Sequence, residues 1–405
     1  MSDAAVPNIS QMARDLPPSG IRRFFDIAAE MQDVISLSVG EPDFVTPWGI
    51  CEAVYKSLKA GQTTYTSNYG LLELRRLIAV HLDERYSVHY NPTDEILVTV
   101  GVSEGMDLAM RAILNSGDEV IVPEPCYVSY KPCITMAGGV AVGVKTTAET
   151  KFNVSVEQLE AAFTPKTKAV LVGFPSNPTG ATMSREALQE LVDFAVRKNL
   201  FLVSDEIYDR LTYDGEHTCI PSLKGARERT ILLNGFSKAY AMTGWRVGYA
   251  CAPAPILSAM MKIHAYTMLC APIVSQVAAV EALKHAEPQV RDMVKQYNQR
   301  RRIIVSGLNA AGLDCHMPQG AFYAFPSIAR TGLTSEEFAE RLLFDEHVAV
   351  VPGNAFGAGG EGHIRCSYAT SIEKIQIALE RIGRFVEKVA PGTAQSRNTL
   401  IAKVV

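Results

Sequence analysis

The sequence has little of what marks a secreted, membrane-spanning or nucleic-acid-binding protein. Its eight cysteines (Cys51, Cys126, Cys133, Cys219, Cys251, Cys270, Cys315 and Cys366) are scattered, with no C-x-x-C pair and no His/Cys cluster at zinc spacing. That pattern offers neither a disulfide framework nor a metal site. It fits small buried hydrophobic groups in a reducing compartment. Positive charge is not in excess: 39 Lys and Arg stand against 43 Asp and Glu, a net charge of −4. This argues against a basic surface for nucleic acid. No window reaches the roughly 20 apolar residues of a membrane span. Residues 1–16 include Asp3, Arg14 and Asp15 and no long apolar stretch, unlike the usual secretory leader. The expectation is a soluble cytoplasmic protein with no metal, no membrane and no nucleic-acid partner.

What is present is an ordinary globular composition. Hydrophobic residues make up 47% of 405 positions and charged residues 20%. A chain of this length has room for two or three units of about 150 residues and can bury a large core without staples. Residues 21–31 (IRRFFDIAAEM) place Ile21, Phe24, Phe25, Ala28 and Met31 at helical spacing. VISLSVGEPDF then reads as a short strand breaking into a turn, and residues 71–86 read as an amphipathic helix.

From about residue 95 apolar runs of strand length recur at 95–100, 119–123, 168–174, 200–205, 230–235 and 247–252. Helical patterns such as 184–199 lie between most of them. Strands alternating with helices predict an α/β fold with a mainly parallel sheet covered on both faces. Ligands bind such sheets beyond the carboxyl ends of the strands. After residue 285 a long helical stretch leads to FYAFPSI, a helix at 335–346, HVAVVPG, HIRCSYA and a last helix near 371–388, which together read as a smaller α+β domain. The division expected is 1–45 as an N-terminal segment joining the small domain, 46–285 as the large domain, 286–390 as the small domain, and 391–405 as a tail that orders only when docked.

Four strand-end segments carry unusual residues. They are Gly173-Phe174-Pro175-Ser176-Asn177-Pro178-Thr179-Gly180, Ser204-Asp205-Glu206-Ile207-Tyr208, Phe236-Ser237-Lys238 with Thr243-Gly244-Trp245-Arg246, and His363-Ile364-Arg365. Singly, three have ordinary explanations: a Pro/Gly turn, a helix cap and an ion-paired surface arginine. A lysine directly after a buried strand is harder to dismiss, because lysine is almost never fully buried unless paired. Gly101-Val102-Ser103-Glu104-Gly105 follows a strand and opens a helix, which is a ready anion site.

In succession, N-P-x-G, S-D-E-x-Y and S-K-x-x-x-x-x-G-W-R-x-G resemble the class I aminotransferases of pyridoxal-phosphate fold type I, from about Ile35 to Val386. SVGEPDF and YTSNYGLLELR resemble that family's N-terminal segments. The resemblance implies pyridoxal 5′-phosphate as cofactor, with Lys238 holding it in a Schiff base. Asp205 would pair with the ring nitrogen, Tyr208 and Asn177 would bond the ring oxygen, and Tyr127 would stack on the ring face. Ser103, Glu104, Ser237 and Arg246 would serve the phosphate, joined by Tyr65 from the other subunit of a homodimer with shared active sites. Arg365, Gly40 and Asn177 would hold the substrate carboxylate. Many relatives carry a phosphate-binding serine three residues before the lysine; here that position is Gly235. The expected reaction moves an α-amino group from an amino acid to a 2-oxo acid, with glutamate and 2-oxoglutarate as one pair. The alternatives are a β-lyase on the same scaffold and a non-catalytic aminotransferase-like regulator. Only about 30 residues precede the catalytic pattern, with no helix-turn-helix, which disfavours the regulator. No second arginine declares itself as the partner of a distal carboxylate.

Overall fold

The computed structural model describes residues 9–18, 20, 27 and 31–390. The expected helix at 21–31 lies largely outside the described residues, and the tail 391–405 lies outside them entirely. After a short helix at Gln11–Asp15 the chain contributes β1 (Ile35–Ser36) and then the helices Trp48–Lys59 and Leu72–Tyr86. Next come β2 (Ile96–Thr99), β3 (Glu119–Glu124), β4 (Val140–Lys145), β5 (Thr167–Gly173), β6 (Phe201–Asp205), β7 (Thr230–Gly235) and β8 (Gly248–Cys251). These seven form one sheet in the order β2-β8-β7-β6-β5-β3-β4. β3 through β7 pair in parallel, and β8 runs antiparallel to both β2 and β7.

Both faces are covered, as continuous apolar strands require. Successive residues point to opposite faces, so Leu171, Val203 and Leu233 pack with Met106, Met110 and Ile134. Their neighbours Val170, Val172 and Leu202 pack with Leu188, Leu191 and Val192 of the helix Arg185–Arg197. The register decides where the loops emerge. Gly173 pairs with Asp205, Asp205 with Leu233, Gly235 with Gly248, and Thr99 with Gly248. The ends of β2, β5, β6 and β7 therefore share one edge, and the segments singled out in the sequence leave the sheet side by side.

The remaining strands are β9 (Tyr323–Ala324), β10 (Val348–Ala349), β11 (Val351–Pro352) and β12 (Ile364–Ser367). They sit with the helices Glu287–Ala310, Ser335–Glu346 and Ile372–Val389. β12 lies between β11 and β9, antiparallel to both, and β1 pairs in parallel with β10. The short strand expected at the start of VISLSVGEPDF is Ile35–Ser36, after which the chain runs irregularly past Gly40. Leu37 still bonds this region, since the Ser367 amide donates to its carbonyl at 2.7 Å. β4 was not anticipated. Among the described residues, no helix is long and apolar enough to cross a membrane and no cluster could hold a metal. All eight cysteines are free.

Candidate active site

The turn after β7 carries Lys238 over the edge of the sheet. Its ammonium donates to the Gly40 carbonyl at 2.7 Å and lies 5.8 Å and 5.9 Å from the Phe322 and Tyr208 ring centres. Desolvation, reinforced by the Arg365 and Arg246 charges and opposed by Glu41 and Asp205, lowers its pKa to about 8. A substantial fraction of the amine is therefore neutral near physiological pH, as a nucleophile or base requires.

Asp205 ends β6 almost completely buried. One carboxylate oxygen accepts from the Tyr130 hydroxyl at 2.8 Å and the other from the Ile207 amide at 3.2 Å. Burial raises its pKa to about 6 despite those bonds. It forms no ion pair among the described residues, and the Lys238 charge offsets its burial only in small part. Tyr208, three residues on, is buried and its hydroxyl lies 2.7 Å from that of Tyr323.

Arg365 on β12 is its positive counterpart. It is 2% exposed, donates to Asn177 Oδ1 at 2.8 Å and to the Ser38 carbonyl at 2.6 Å, and leaves its buried Nε–H without an acceptor. Its guanidinium stacks 4.5 Å from the Tyr323 ring centre. No carboxylate neutralises it among the described residues.

At the end of β2 the helix Gly101–Ile113 begins, and its first N–H groups, at Gly101, Val102 and Ser103, have no intrahelical acceptor. Arg246 lies over this terminus. It donates to the Thr243 carbonyl at 3.0 Å, and a Cβ added at Gly101 would stand 2.6 Å from its Nη2. Gly101 also has φ +72, a conformation only glycine adopts freely. The Ser103 side chain is exposed, and Ser237 is buried beside Lys238. Glu104 is placed differently from the expectation. Its carboxylate accepts from the Val100 amide at 2.5 Å and meets His264 Nδ1 at 2.6 Å. That side chain caps its own helix; its negative charge would in any case repel a phosphate.

The structure brings together Lys238, Asp205, Tyr208, Asn177, Arg365 and Gly40. Tyr127 stands edge-on to Tyr130 at 5.6 Å between ring centres. Tyr65 is not brought in: it is 82% exposed in the single chain. Two tyrosines were missed. Tyr130 reaches Asp205, and a Cβ at Gly173 would collide with its hydroxyl at 2.2 Å. Tyr323 touches both Tyr208 and Arg365. A tyrosine three residues past Tyr127 could have been noticed, whereas Tyr323 had no signal beyond an ordinary short strand.

The departure at Gly235 has a steric cause. A Cβ there would lie 2.9 Å from the Gly248 Cα and 3.2 Å from the Val247 carbonyl. The β7–β8 pair approaches too closely for any side chain. Gly235→Ser is therefore expected to lower stability by about 1–3 kcal/mol in urea unfolding. A variant as stable as the parent would refute this reason for the glycine.

Residues 32–382 match the family model described as aminotransferase class I and II. The aspartate aminotransferase of Pyrococcus abyssi is 45% identical over 374 residues, 92% of this chain and 96% of that protein. The aromatic-amino-acid aminotransferase 2 of Thermococcus litoralis is 41% identical over 374 residues, again 92% and 96%. The structure of Thermus thermophilus aspartate aminotransferase with maleate superposes with a TM-score of 0.90 at 39% identity, covering 94% of this chain and 100% of that one. A lysine between a buried carboxylate and a buried guanidinium that form no ion pairs among the described residues, on a fold shared with these enzymes along nearly its whole length, makes this chain a transaminase, a member of the class I and II aminotransferases.

Proposed function

We propose that this site moves the α-amino group of an L-amino acid to a 2-oxo acid, 2-oxoglutarate among them, on pyridoxal 5′-phosphate attached at Lys238. The observation that carries the reading is the charge balance. Lys238, Arg246 and Arg365 converge without ion pairs among the described residues, and Asp205 is buried without an ion pair there too. Such a set fits a ligand with anionic groups at two ends and one cationic nitrogen. When bound, the cofactor supplies an aldehyde that condenses with amines and a ring that draws off electrons.

The rest is the work of the chain. Asp205 holds a protonated ring nitrogen. Asn177 has its Oδ1 engaged by Arg365, which leaves its Nδ2 to donate to the ring oxygen beside Tyr208. Tyr127 packs on the ring face. The N–H groups of Gly101, Val102 and Ser103, the Arg246 guanidinium and the Ser237 hydroxyl hold the phosphate. Arg365 takes the substrate carboxylate with its unpaired Nε–H and the adjacent Nη, helped by the Gly40 N–H. Fixing the carboxylate there orients the Cα–H bond, and the Lys238 amine, once free, accepts its proton.

A single amino acid given to the loaded protein without an oxo acid is expected to release one equivalent of 2-oxo acid per site and no ammonia. Turnover should resume on adding 2-oxoglutarate. Continuous ammonia release would instead identify a β-lyase. Aspartate and the aromatic amino acids, which name the relatives, head the donor panel.

The reading includes a homodimer with Tyr65 entering the partner's site. Its support is the exposure of large apolar side chains in the single chain, with Trp48 at 76%, Tyr65 at 82% and Tyr266 at 93%. Tyr65→Ala and Lys238→Ala variants, each inactive, should on mixing recover about a quarter of the parent activity, because half the dimers are mixed and each has one intact site. No recovery despite proven subunit exchange would rule out the shared site. The reading also keeps a division near residues 45, 285 and 390, with the N-terminal strand β1 on the small-domain side, and a cytoplasmic location.

A further inference from the structure

Tyr323 belongs to none of the motifs, yet its hydroxyl sits at the centre of the site. β9 places it opposite Ser367 of β12, on the strand that carries Arg365. Its ring lies beneath the Arg365 guanidinium, its hydroxyl is 2.7 Å from that of Tyr208, and a Cβ at Gly40 would stand 2.5 Å from the same hydroxyl. One phenol thus contacts the residue assigned to the cofactor ring oxygen, the residue assigned to the substrate carboxylate, and the backbone that receives Lys238.

Two protons meet at the Tyr208–Tyr323 contact, and the role given to Tyr208 decides which of them is shared. Both phenols are buried, and burial raises both pKa values above the ordinary tyrosine range, so each keeps its proton. Two protons share one contact, and one of them must point elsewhere. Neither hydroxyl has another partner among the described residues, so the proton that is not shared needs an acceptor from a ligand. A stranded buried donor is costly. If Tyr323 donates, the Tyr208 proton is free to meet a ligand oxygen.

We propose that Tyr323 is a positioning residue that donates its hydroxyl proton to Tyr208 and thereby makes Tyr208 a stronger, correctly directed donor to the ring oxygen of the bound cofactor. This rests on the role given to Tyr208 above. A donor that itself accepts a hydrogen bond is polarised and donates more strongly. Such a chain stabilises the anionic ring oxygen and so lowers the pH at which the lysine-bound cofactor loses its proton. Tyr323→Phe keeps the ring under Arg365 and removes only the hydroxyl.

The test is a pH titration of the visible absorption of the loaded protein in the parent, Tyr208→Phe, Tyr323→Phe and the double variant. Tyr208→Phe is expected to raise the midpoint most. Tyr323→Phe should raise it by roughly 0.5–1 unit, the worth of one hydrogen bond. The double variant should match Tyr208→Phe, because Tyr323 acts only through Tyr208. A shift in Tyr208→Phe with none in Tyr323→Phe would overturn the inference alone. A double variant in which the two shifts add would also overturn it, by showing that Tyr323 acts directly. Failure of Tyr323→Phe to take up cofactor would assign the hydroxyl to structure and overturn it as well. No shift in Tyr208→Phe would remove the role of Tyr208 itself, and the inference with it.

Discussion

Asp205→Asn is expected to lower kcat at least ~100-fold while leaving the protein folded and able to bind amino acids, the scale of losing a charge-stabilising group in a preorganised site. The substitution keeps the size of the side chain, and its Oδ1 can still accept from the Ile207 amide, while its Nδ2 turns the Tyr130 contact around by donating to that hydroxyl. Its main loss is the charge that would hold the ring nitrogen protonated. Arg365 still grips the carboxylate, so the loss should fall on the chemical step and not on binding. Stability should move the other way. The folded pKa of about 6 lies above the ordinary carboxylate value because burial penalises the charge. A carboxyl with a raised folded pKa costs stability as pH rises through the interval between its unfolded and folded values. In the cofactor-free protein above pH 6, Asp205→Asn relieves a burden of up to about 3 kcal/mol. Urea unfolding of the cofactor-free forms at pH 5 and pH 8, with single-turnover kinetics of the loaded forms, reads both effects. A variant that loses stability at pH 8 but keeps its turnover per loaded site would make Asp205 a structural strand end.

Lys238→Ala should abolish transamination and remove the visible band of the lysine-bound cofactor. Two functions vanish with one amine: the covalent anchor, and the base for the Cα proton, which alone contributes about 100- to 10,000-fold in enzymes of this kind. Among the described residues the ammonium donates to one carbonyl, that of Gly40, so its removal breaks little. Thermal stability of the cofactor-free variant should stay close to that of the parent. Residual turnover within about 10-fold of the parent would leave another group as the base.

The large sheet was legible because its central strands are continuous apolar runs. β5, β6 and β7 are buried on both faces, and nothing but a sheet interior accommodates such segments at that length. β4 escaped because it is an edge strand. It is mostly exposed or half-buried and contains Gly143, where a Cβ would strike Glu124 Oε1 at 2.2 Å. Composition alone does not betray a strand whose glycine is demanded by a neighbour distant in sequence. The same distinction runs through the site. Lys238, Asp205 and Asn177 were readable because each sits at a strand end within a compact motif. Tyr323 was not, because its place beside Arg365 and Tyr208 depends on how β9 pairs with β12 and on how that sheet meets the end of β6. Glu104 was read half correctly. The helix start is where the spacing put it, but the carboxylate folds back on the Val100 amide and His264, a partner 160 residues away. Gly235 looked like a missing function and is a packing requirement of the β7–β8 pair.

The central claim is that Lys238 carries the cofactor, and borohydride reduction tests it most directly. The protein loaded with pyridoxal 5′-phosphate is reduced, digested and mapped by mass spectrometry. The account predicts one phosphopyridoxyl group per chain, on the peptide that contains Phe236-Ser237-Lys238. The same group on any other lysine, with Lys238 unmodified, would contradict it.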